Sequence, residues 1–428
     1  MTRRERVLVT DGQTTQALAC VRSLGRAGHE VLVASTRAKP LAAWSRYCRA
    51  HVRVAGETSP EFATLREWAA SRGVTLVLPA TERACLLVNA QRDRWEAAGI
   101  TPGCAPDTML RQAFDKVRTL EIAARCGVRT PPWRNPESLD DCRAAARDIG
   151  YPVVLKSRFS NAWAGDTFIP DLGTTYVRHP EDLERAVLAR RQGPYWPLIQ
   201  GFVPGRGAGV FALATGGRAV AWFAHERLRD VRPSGSGSSL RRSIALDPRL
   251  AAPAERLLAA MAWDGPAMIE LRDDGGEPYL MEVNGRFWGS LQLAISAGVD
   301  FPRLWVDALR GVPVAAGGTY QGGVTIRWLW GDVKRFLYIL QGAPPGYPGR
   351  YPTVWQGLRE LFGSQPAGTR LEAWAPDDRG PALGEWVQGI GELLEQRRRR
   401  RPAAAPRVAA ATDGPTRAAA PETVRLEQ

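Results

Sequence analysis

Residues 266–287 read PAMIELRDDGGEPYLMEVNGRF, and the architecture turns on how this stretch folds. Two apolar runs, PAMIEL and PYLMEVN, bracket the turn DDGGE, which marks a β-hairpin. With the turn centred near Gly276, Glu270 and Glu282 fall opposite each other and share one face. Asn284 joins that face, because strand side chains repeat every two residues. Two carboxylates and an amide oxygen make a hard-oxygen site, suited to one or two Mg2+ ions on phosphate oxygens. Arg286 lies two residues further on and reaches the same mouth, where a guanidinium can hold a phosphoryl group through two parallel bonds. An exposed hairpin with its polar residues outward would carry the same letters, so the rest of the chain has to decide.

Working outward, lysine usage is the next signal. Of 57 basic residues, only Lys39, Lys116, Lys156 and Lys334 are lysines. In a chain that uses arginine by default, a remaining lysine suggests a need for a compact ammonium rather than a planar fork. Lys156 ends the apolar strand YPVVLKS at 151–157, where a buried ammonium is costly unless it meets an anion. Snorkelling to solvent from the strand end is the competing explanation. Lys116 reads as mid-helix in FDKVRTLE, within one helix expected over 106–130.

Residues 5–105 alternate apolar runs (RVLVT, HEVLVAS, TLVLPAT) with helix-length segments at 13–27 and 60–72, the pattern of βα units on a parallel sheet. The first turn, Thr10-Asp11-Gly12-Gln13, lacks GxGxxG, which removes the main support for a nicotinamide-dependent dehydrogenase. Beyond 130 come PEDLERAVLARR as an amphipathic helix, WPLIQGFVPG as a strand, and a hairpin of 210–215 with 219–225 around Gly216-Gly217. A Ser/Gly loop at 234–239 sits between arginine-rich flanks. Residues 318–395 are rich in Trp, Gly and Pro, with a short helix expected at 332–341 and no role assigned.

The net charge of +13 suggests nucleic acid, but eight arginines against three acids after residue 396 supply +5 of it, leaving +8 for the body. From 396 to 428 an arginine run and an Ala/Pro-rich stretch read as a disordered tail. The six cysteines show no CxxC spacing, so neither a zinc site nor a disulfide framework is expected. No run of eighteen uncharged apolar residues occurs and no signal peptide is evident, so a cytoplasmic protein without a membrane span is expected.

Asp115-Lys116, PVVLK ending in Lys156, LIQGFVPG, Glu270 and MEVNGRFWGS occur in that order, and the series resembles the ATP-grasp superfamily, which includes biotin carboxylase and D-alanine ligase. The resemblance covers roughly residues 106–310. It implies an α/β and α+β multidomain chain: a Rossmann-like pre-ATP-grasp domain at 1–105, then a two-lobed ATP-grasp module. Its small lobe with the linking helix would span 106–197 and its large lobe with the metal site 198–317, before an extension at 318–395. It implies that Lys116 and Lys156 contact ATP phosphates, that Gln200, Gly201, Phe202 and Val203 serve the adenine, and that Glu270, Glu282 and Asn284 bind Mg2+, with Mn2+ as the alternative ion. Arg286 matches the arginine that contacts the transferring phosphate. The segment His225-Glu226-Arg227-Leu228-Arg229, the Ser/Gly loop and Arg241-Arg242 resemble the substrate-facing part of carboxylate–amine ligases, with Arg227 and Arg241 as anion clamps. His225 alone reads as structural. The chain departs from the family at Gly201, where many members carry Glu, at Gly207, Ala208 and Gly209, where an acidic ribose contact is usual, and in a lid from Ser157 to Thr167 holding only Gly165.

The expected reaction is ATP-dependent activation of a carboxylate as an acyl phosphate and its transfer to an amine, between small-molecule substrates and without nucleic acid. A thiol acceptor or a carbamoyl-phosphate-type reaction stays open within that chemistry, as does a homo-oligomer. A non-catalytic nucleotide-binding or assembly module is the alternative from another class.

Overall fold

The computed structural model describes residues 4–164, 167–170, 172–314 and 318–400. It opens with β1 (Arg6–Val9), α1 (Thr15–Arg26), β2 (Glu30–Ser35), β3 (Cys48–Arg53), α2 (Ser59–Ser71), β4 (Leu76–Leu78), α3 (Glu82–Asn89), α4 (Arg92–Ala97) and β5 (Thr101–Pro102). The strands pair in parallel in the order β3-β2-β1-β4-β5. The apolar runs of β1, β2 and β4 suit the middle of a parallel sheet buried on both faces, while β3, at the edge, alternates partly buried and exposed residues. The strand order reverses between β1 and β4, and doubly wound sheets take ligands at such a point, outside the carboxyl ends of the strands. Thr15 opens α1 there, and Glu82 opens α3.

The single helix expected over 106–130 is instead two, α5 (Asp107–Phe114) and α6 (Lys116–Arg125). Asp115 breaks them apart at φ −93°, ψ 106°. Its carboxylate accepts from the Val117 N–H at 3.0 Å and from Arg158 at 2.7 Å, and a short acidic side chain stabilises a helix better as its cap than from its interior. Lys116 therefore opens a helix rather than sitting inside one.

The second sheet follows: β6 (Trp133–Arg134), α7 (Leu139–Ile149), β7 (Val153–Lys156), a hairpin of β8 (Asn161–Ala164) and β9 (Thr167–Pro170), β10 (Thr174–Val177), α8 (Pro180–Leu188) and β11 (Leu198–Gly201). Its order is β10-β7-β11-β6, all antiparallel. Val153 and Leu155 pack with Leu183 and Val187 of α8 in one core, so Val154 and Lys156 must face the other way. Gly165, the lid glycine, lies outside the described residues.

The large sheet is built from β12 (Arg206–Thr215), β13 (Arg218–Arg229), β14 (Leu240–Ser243), β15 (Gly265–Asp273), β16 (Tyr279–Asn284), β17 (Thr325–Arg327) and β18 (Arg370–Leu371). Around it lie α9 (Pro248–Ala260), α10 (Leu291–Ala297), α11 (Phe301–Leu309), α12 (Leu329–Gln341) and α13 (Val354–Phe362), and the last helix is α14 (Gly380–Arg400). The order is β16-β15-β12-β13-β14-β17-β18. β12 turns into β13 at Gly216 and Gly217, whose φ of +57° and +79° is left-handed and suits glycine. Residues to Gly389 form one compact unit, and a second begins at Ile390. Because α14 runs to Arg400, the arginine run starts as helix, where the sequence reading expected disorder from 396. The rest of that tail, 401–428, lies outside the described residues. Among the described residues no helix is long and apolar enough to cross a membrane.

Part of the stretch after 318 straps the first domain to the large sheet. Arg22 of α1 is fully buried and donates to Asp378 Oδ2 at 2.8 Å and to the carbonyls of Glu372 and Ala373. Asp378 also accepts from Ser45 Oγ and the Arg46 N–H, both at 2.8 Å. Nearby, burial pushes the Glu385 carboxyl up to about 7, and Glu372 adds to the rise. Between its usual 4.5 and 7 the unfolded chain ionises and the folded one does not, so this group lowers stability as pH rises through that window. Glu385→Gln is expected to remove the loss, gaining about 3 kcal/mol at most at pH 8 and nothing near pH 4. Urea midpoints at the two pH values check it.

Candidate active site

A cavity of ≈ 490 Å3 is walled by the second sheet, the large sheet and two helix starts of the first domain. From the second sheet, β7 sends in Val154 and Lys156, the side chains its own core rejects. From the large sheet come Glu270, Glu282 and Asn284, and from the first domain Thr15 and Glu82. Every residue named from the sequence for catalysis, nucleotide, substrate or metal lines this one cavity.

Glu270 and Glu282 are Cα partners on β15 and β16, with a register slip immediately after Glu270. Two like charges directly opposite each other oppose folding unless cations compensate them. Burial raises the Glu270 carboxyl, and Arg227, whose Nη1 stands 3.0 Å from Oε1, offsets only part of the rise. Glu282 is buried too, yet Lys116, a hydrogen bond from Asn284, Lys156 and Arg286 together carry its carboxyl below the usual range. Lys156 shows the converse: burial depresses its ammonium, while Glu282 and Glu270 hold the proton on. Asn284 Nδ2 donates to Glu282 Oε1 at 3.0 Å, and Arg286 Nη2 donates to Asn284 Oδ1 at 3.1 Å. The Lys116 ammonium donates to Ser160 Oγ at 3.0 Å. The other two lysines stack on tryptophan rings instead, Lys39 on Trp44 and Lys334 on Trp328.

The two arginines expected as substrate clamps are already engaged with carboxylates. Arg227 bridges Glu270 and Asp230, and Arg241 pairs with the buried Glu372 of the C-terminal strap while donating to Ser238 O at 2.7 Å. The glycine at 207 has a physical reason: a Cβ there would collide with the Arg227 guanidinium, which crosses β12 to reach Glu270. Gly207→Ala is expected to leave the melting temperature within a few degrees, because the guanidinium can swing away, yet to reduce turnover about tenfold by freeing Glu270 from its partner. Paired melting and rate measurements check this.

On β11, the N–H groups of Gly201 and Phe202 are given to Pro132 O at 2.8 Å and Pro152 O at 3.3 Å. His225 is buried and pushed well below its usual pKa by burial, with Arg241 and Arg227 adding to the fall, so it is neutral. Glu82 escaped sequence reasoning. Burial raises its carboxyl against the pull of Arg286 and Lys116, and it accepts from Asn161 Nδ2 at 3.4 Å. Its one signal was position, immediately after a strand at the point where the sheet order reverses.

Among the described residues no group of three His, Cys, Asp or Glu side chains could hold a metal alone. The oxygen-only set of two carboxylates and an amide therefore fits a hard ion whose remaining ligands come from phosphate oxygens. Asn284 Oδ1 is occupied by Arg286, which makes the carboxylates the firmer part of that set.

Residues 197–331 match a family model described as ATP-grasp in the biosynthetic pathway with Ter operon. A D-alanine--D-alanine ligase from Acidovorax ebreus is 27% identical over 254 residues, covering 52% of this chain and 73% of that protein. The carbamoyl phosphate synthase large chain of Pyrobaculum aerophilum is 26% identical over 50% of this chain, which spans only 21% of that protein. Among solved structures, the biotin carboxylase domain of Hydrogenobacter thermophilus 2-oxoglutarate carboxylase, bound to MgADP, ADP and bicarbonate, superposes with a TM-score of 0.61 at 16% identity, over 76% of this chain and 74% of that one. Together these identify residues 197–331 with an ATP-grasp family, and the chain as a whole is similar to ligases of the ATP-grasp superfamily, whose members use ATP and Mg2+.

Proposed function

We propose that the chain activates a carboxylate with ATP as an acyl phosphate and joins it to an amine, releasing ADP and phosphate. One observation carries the reading: two lysine ammonium groups and two opposed glutamates, with Arg286 beside them, face a single cavity. Phosphoryl transfer is mostly positioning and charge neutralisation, which this collection supplies. Lys116 and Lys156 would bind the ATP phosphates, and Glu270, Glu282 and Asn284 would hold Mg2+. When bound, the ion would shield the phosphate charge and relieve the repulsion between the two glutamates.

Arg286 would steady the phosphoryl group as a substrate carboxylate oxygen attacks phosphorus and ADP leaves. The amine then attacks the acyl carbon and phosphate departs. Arg227 acts in this reading by orienting Glu270, and donation to adenine from the Gln200–Val203 strand falls to the Val203 N–H. Once phosphates occupy the neighbouring cations, Glu82 is free to receive an ammonium group. The domain at 1–105 would present the substrates, the lobes at 106–197 and 198–317 would enclose ATP, and 318–395 would back the wall through Glu372. A supply of ATP assigns the reaction to the cytoplasm.

A pure assembly module would have no use for a buried pair of opposed glutamates, which costs stability when unliganded. ADP release against pools of carboxylates and amines, with Lys156→Ala and Glu282→Ala beside wild type, is the test. A carboxylate- and amine-dependent signal undiminished in both variants would refute the site.

A further inference from the structure

On the face of the large sheet that carries the glutamates, one row crosses four strands: Glu282, Glu270, Gly209 and His225 are successive partners. Two strand spacings separate Glu270 from His225, or about 10 Å. Around His225 the cavity wall changes character. His225, Arg241 and Trp288 are 2%, 1% and 1% exposed, and all three line the cavity, as does Ser238. Each carries a buried polar atom without a hydrogen-bond partner: His225 Nδ1, Arg241 Nε, Trp288 Nε1 and Ser238 Oγ. Leaving such an atom unpaired costs about 1–3 kcal/mol, so four at one end of one cavity call for an occupant.

The chemistry of the four atoms says what kind. Arg241 Nε and Trp288 Nε1 can only donate, and Ser238 Oγ can also donate. The Gly289 carbonyl is already served, receiving Thr15 Oγ1 at 3.0 Å and Arg241 Nη2 at 3.4 Å, while Glu372 Oε1, which does not line the cavity, is left without a hydrogen-bond partner. Glu372 holds Arg241 from outside the cavity wall. Two guanidinium groups act on His225, Arg241 and Arg227, the first paired with Glu372 behind the wall and the second with Glu270 and Asp230. Phe211 lies edge-on to His225 at 4.7 Å and tilted against Trp288 at 4.4 Å, fixing both rings. A rigid, donor-rich niche of this kind suits a carboxylate.

We propose that the niche formed by His225, Ser238, Arg241 and Trp288 receives a substrate carboxylate other than the one activated, so that one of the two joined molecules carries a second carboxylate. The inference rests on the ligase reading and deepens it. Two sources share this chemistry: a dicarboxylate as the acid, or an amino acid as the acceptor.

Thermal melting of the full chain with MgADP, titrated separately with butyrate, with succinate, glutarate and adipate, and with alanine and glutamate, separates them. A saturable stabilisation by dicarboxylates or by amino acids, and not by butyrate, is expected. Trp288→Phe, which keeps a ring but loses the donor, and Ser238→Ala should each raise the half-saturating concentration about tenfold, the loss of one hydrogen bond to a charged group. Binding of a non-hydrolysable ATP analogue should stay unchanged in both. A response to dicarboxylates alone assigns the niche to the acid, and a response to amino acids assigns it to the acceptor. Equal stabilisation by butyrate, or half-saturation unaltered in both variants, overturns the proposal. Anion binding with no carboxylate-dependent ADP release would instead end the ligase reading and leave the anion site standing.

Discussion

Lys156→Ala is expected to cut carboxylate-dependent ADP release by about 10^2–10^3-fold, the usual cost of removing one preorganised charge from a water-poor site. The ammonium is buried at the end of β7, facing two carboxylates and a second lysine. In such surroundings it should act on a phosphate far more strongly than an exposed lysine would. Lys156→Arg should not restore the rate, because a planar fork is larger than the compact group the strand end delivers. Glu282→Ala should lose at least as much, since four neighbouring groups lower the pKa of that carboxyl and the proposed reaction gives it to Mg2+. Melting temperatures measured beside the rates separate lost chemistry from lost folding. Release within about twofold of wild type in the lysine variant would remove Lys156 from the phosphate site.

The glutamate hairpin was legible because three signals coincide in 22 letters: a two-residue period, a DDGG turn and carboxylates in phase with each other. The structure sets Glu270 opposite Glu282, as that pattern requires. Lysine scarcity was informative for a similar reason, since two of the four lysines line the cavity. What stayed hidden depends on partners distant in sequence. Nothing in FDKV announces that Asp115 will leave the helix for Arg158, forty-three positions away. Arg227 and Arg241 looked like free clamps because a one-dimensional pattern does not show which carboxylate reaches them first. Glu82 starts an ordinary helix, and only the folding of the first domain against the cavity makes it part of the site. The missing acid at 207 looked like a lost ribose contact, whereas the space serves the Arg227 guanidinium.

Asp378→Ala is expected to destabilise the chain by about 3–5 kcal/mol, because it strands the fully buried Arg22 guanidinium without its counter-charge. The size follows from the geometry: Arg22 and Asp378 are each 1% exposed, and Asp378 also satisfies Ser45 Oγ and the Arg46 N–H. Arg22→Met combined with Asp378→Leu should recover only part of the loss, since it removes the stranded charge but leaves Ser45 Oγ, the Arg46 N–H and the carbonyls that Arg22 served without those partners. Function should respond as well. The strap that Asp378 fastens begins at β18 and holds Glu372, whose N–H donates to Arg327 O at 3.0 Å and whose carboxylate grips Arg241 in the cavity wall. Loosening it should therefore raise KM for the carboxylate substrate more than it lowers kcat, while ATP binding, which the proposed function gives to Lys116 and Lys156, stays near wild type. Urea midpoints for the two variants, with KM measured for each substrate, check both halves. A loss below about 1 kcal/mol, the worth of an exposed pair, would mean that the strap is held by its backbone alone.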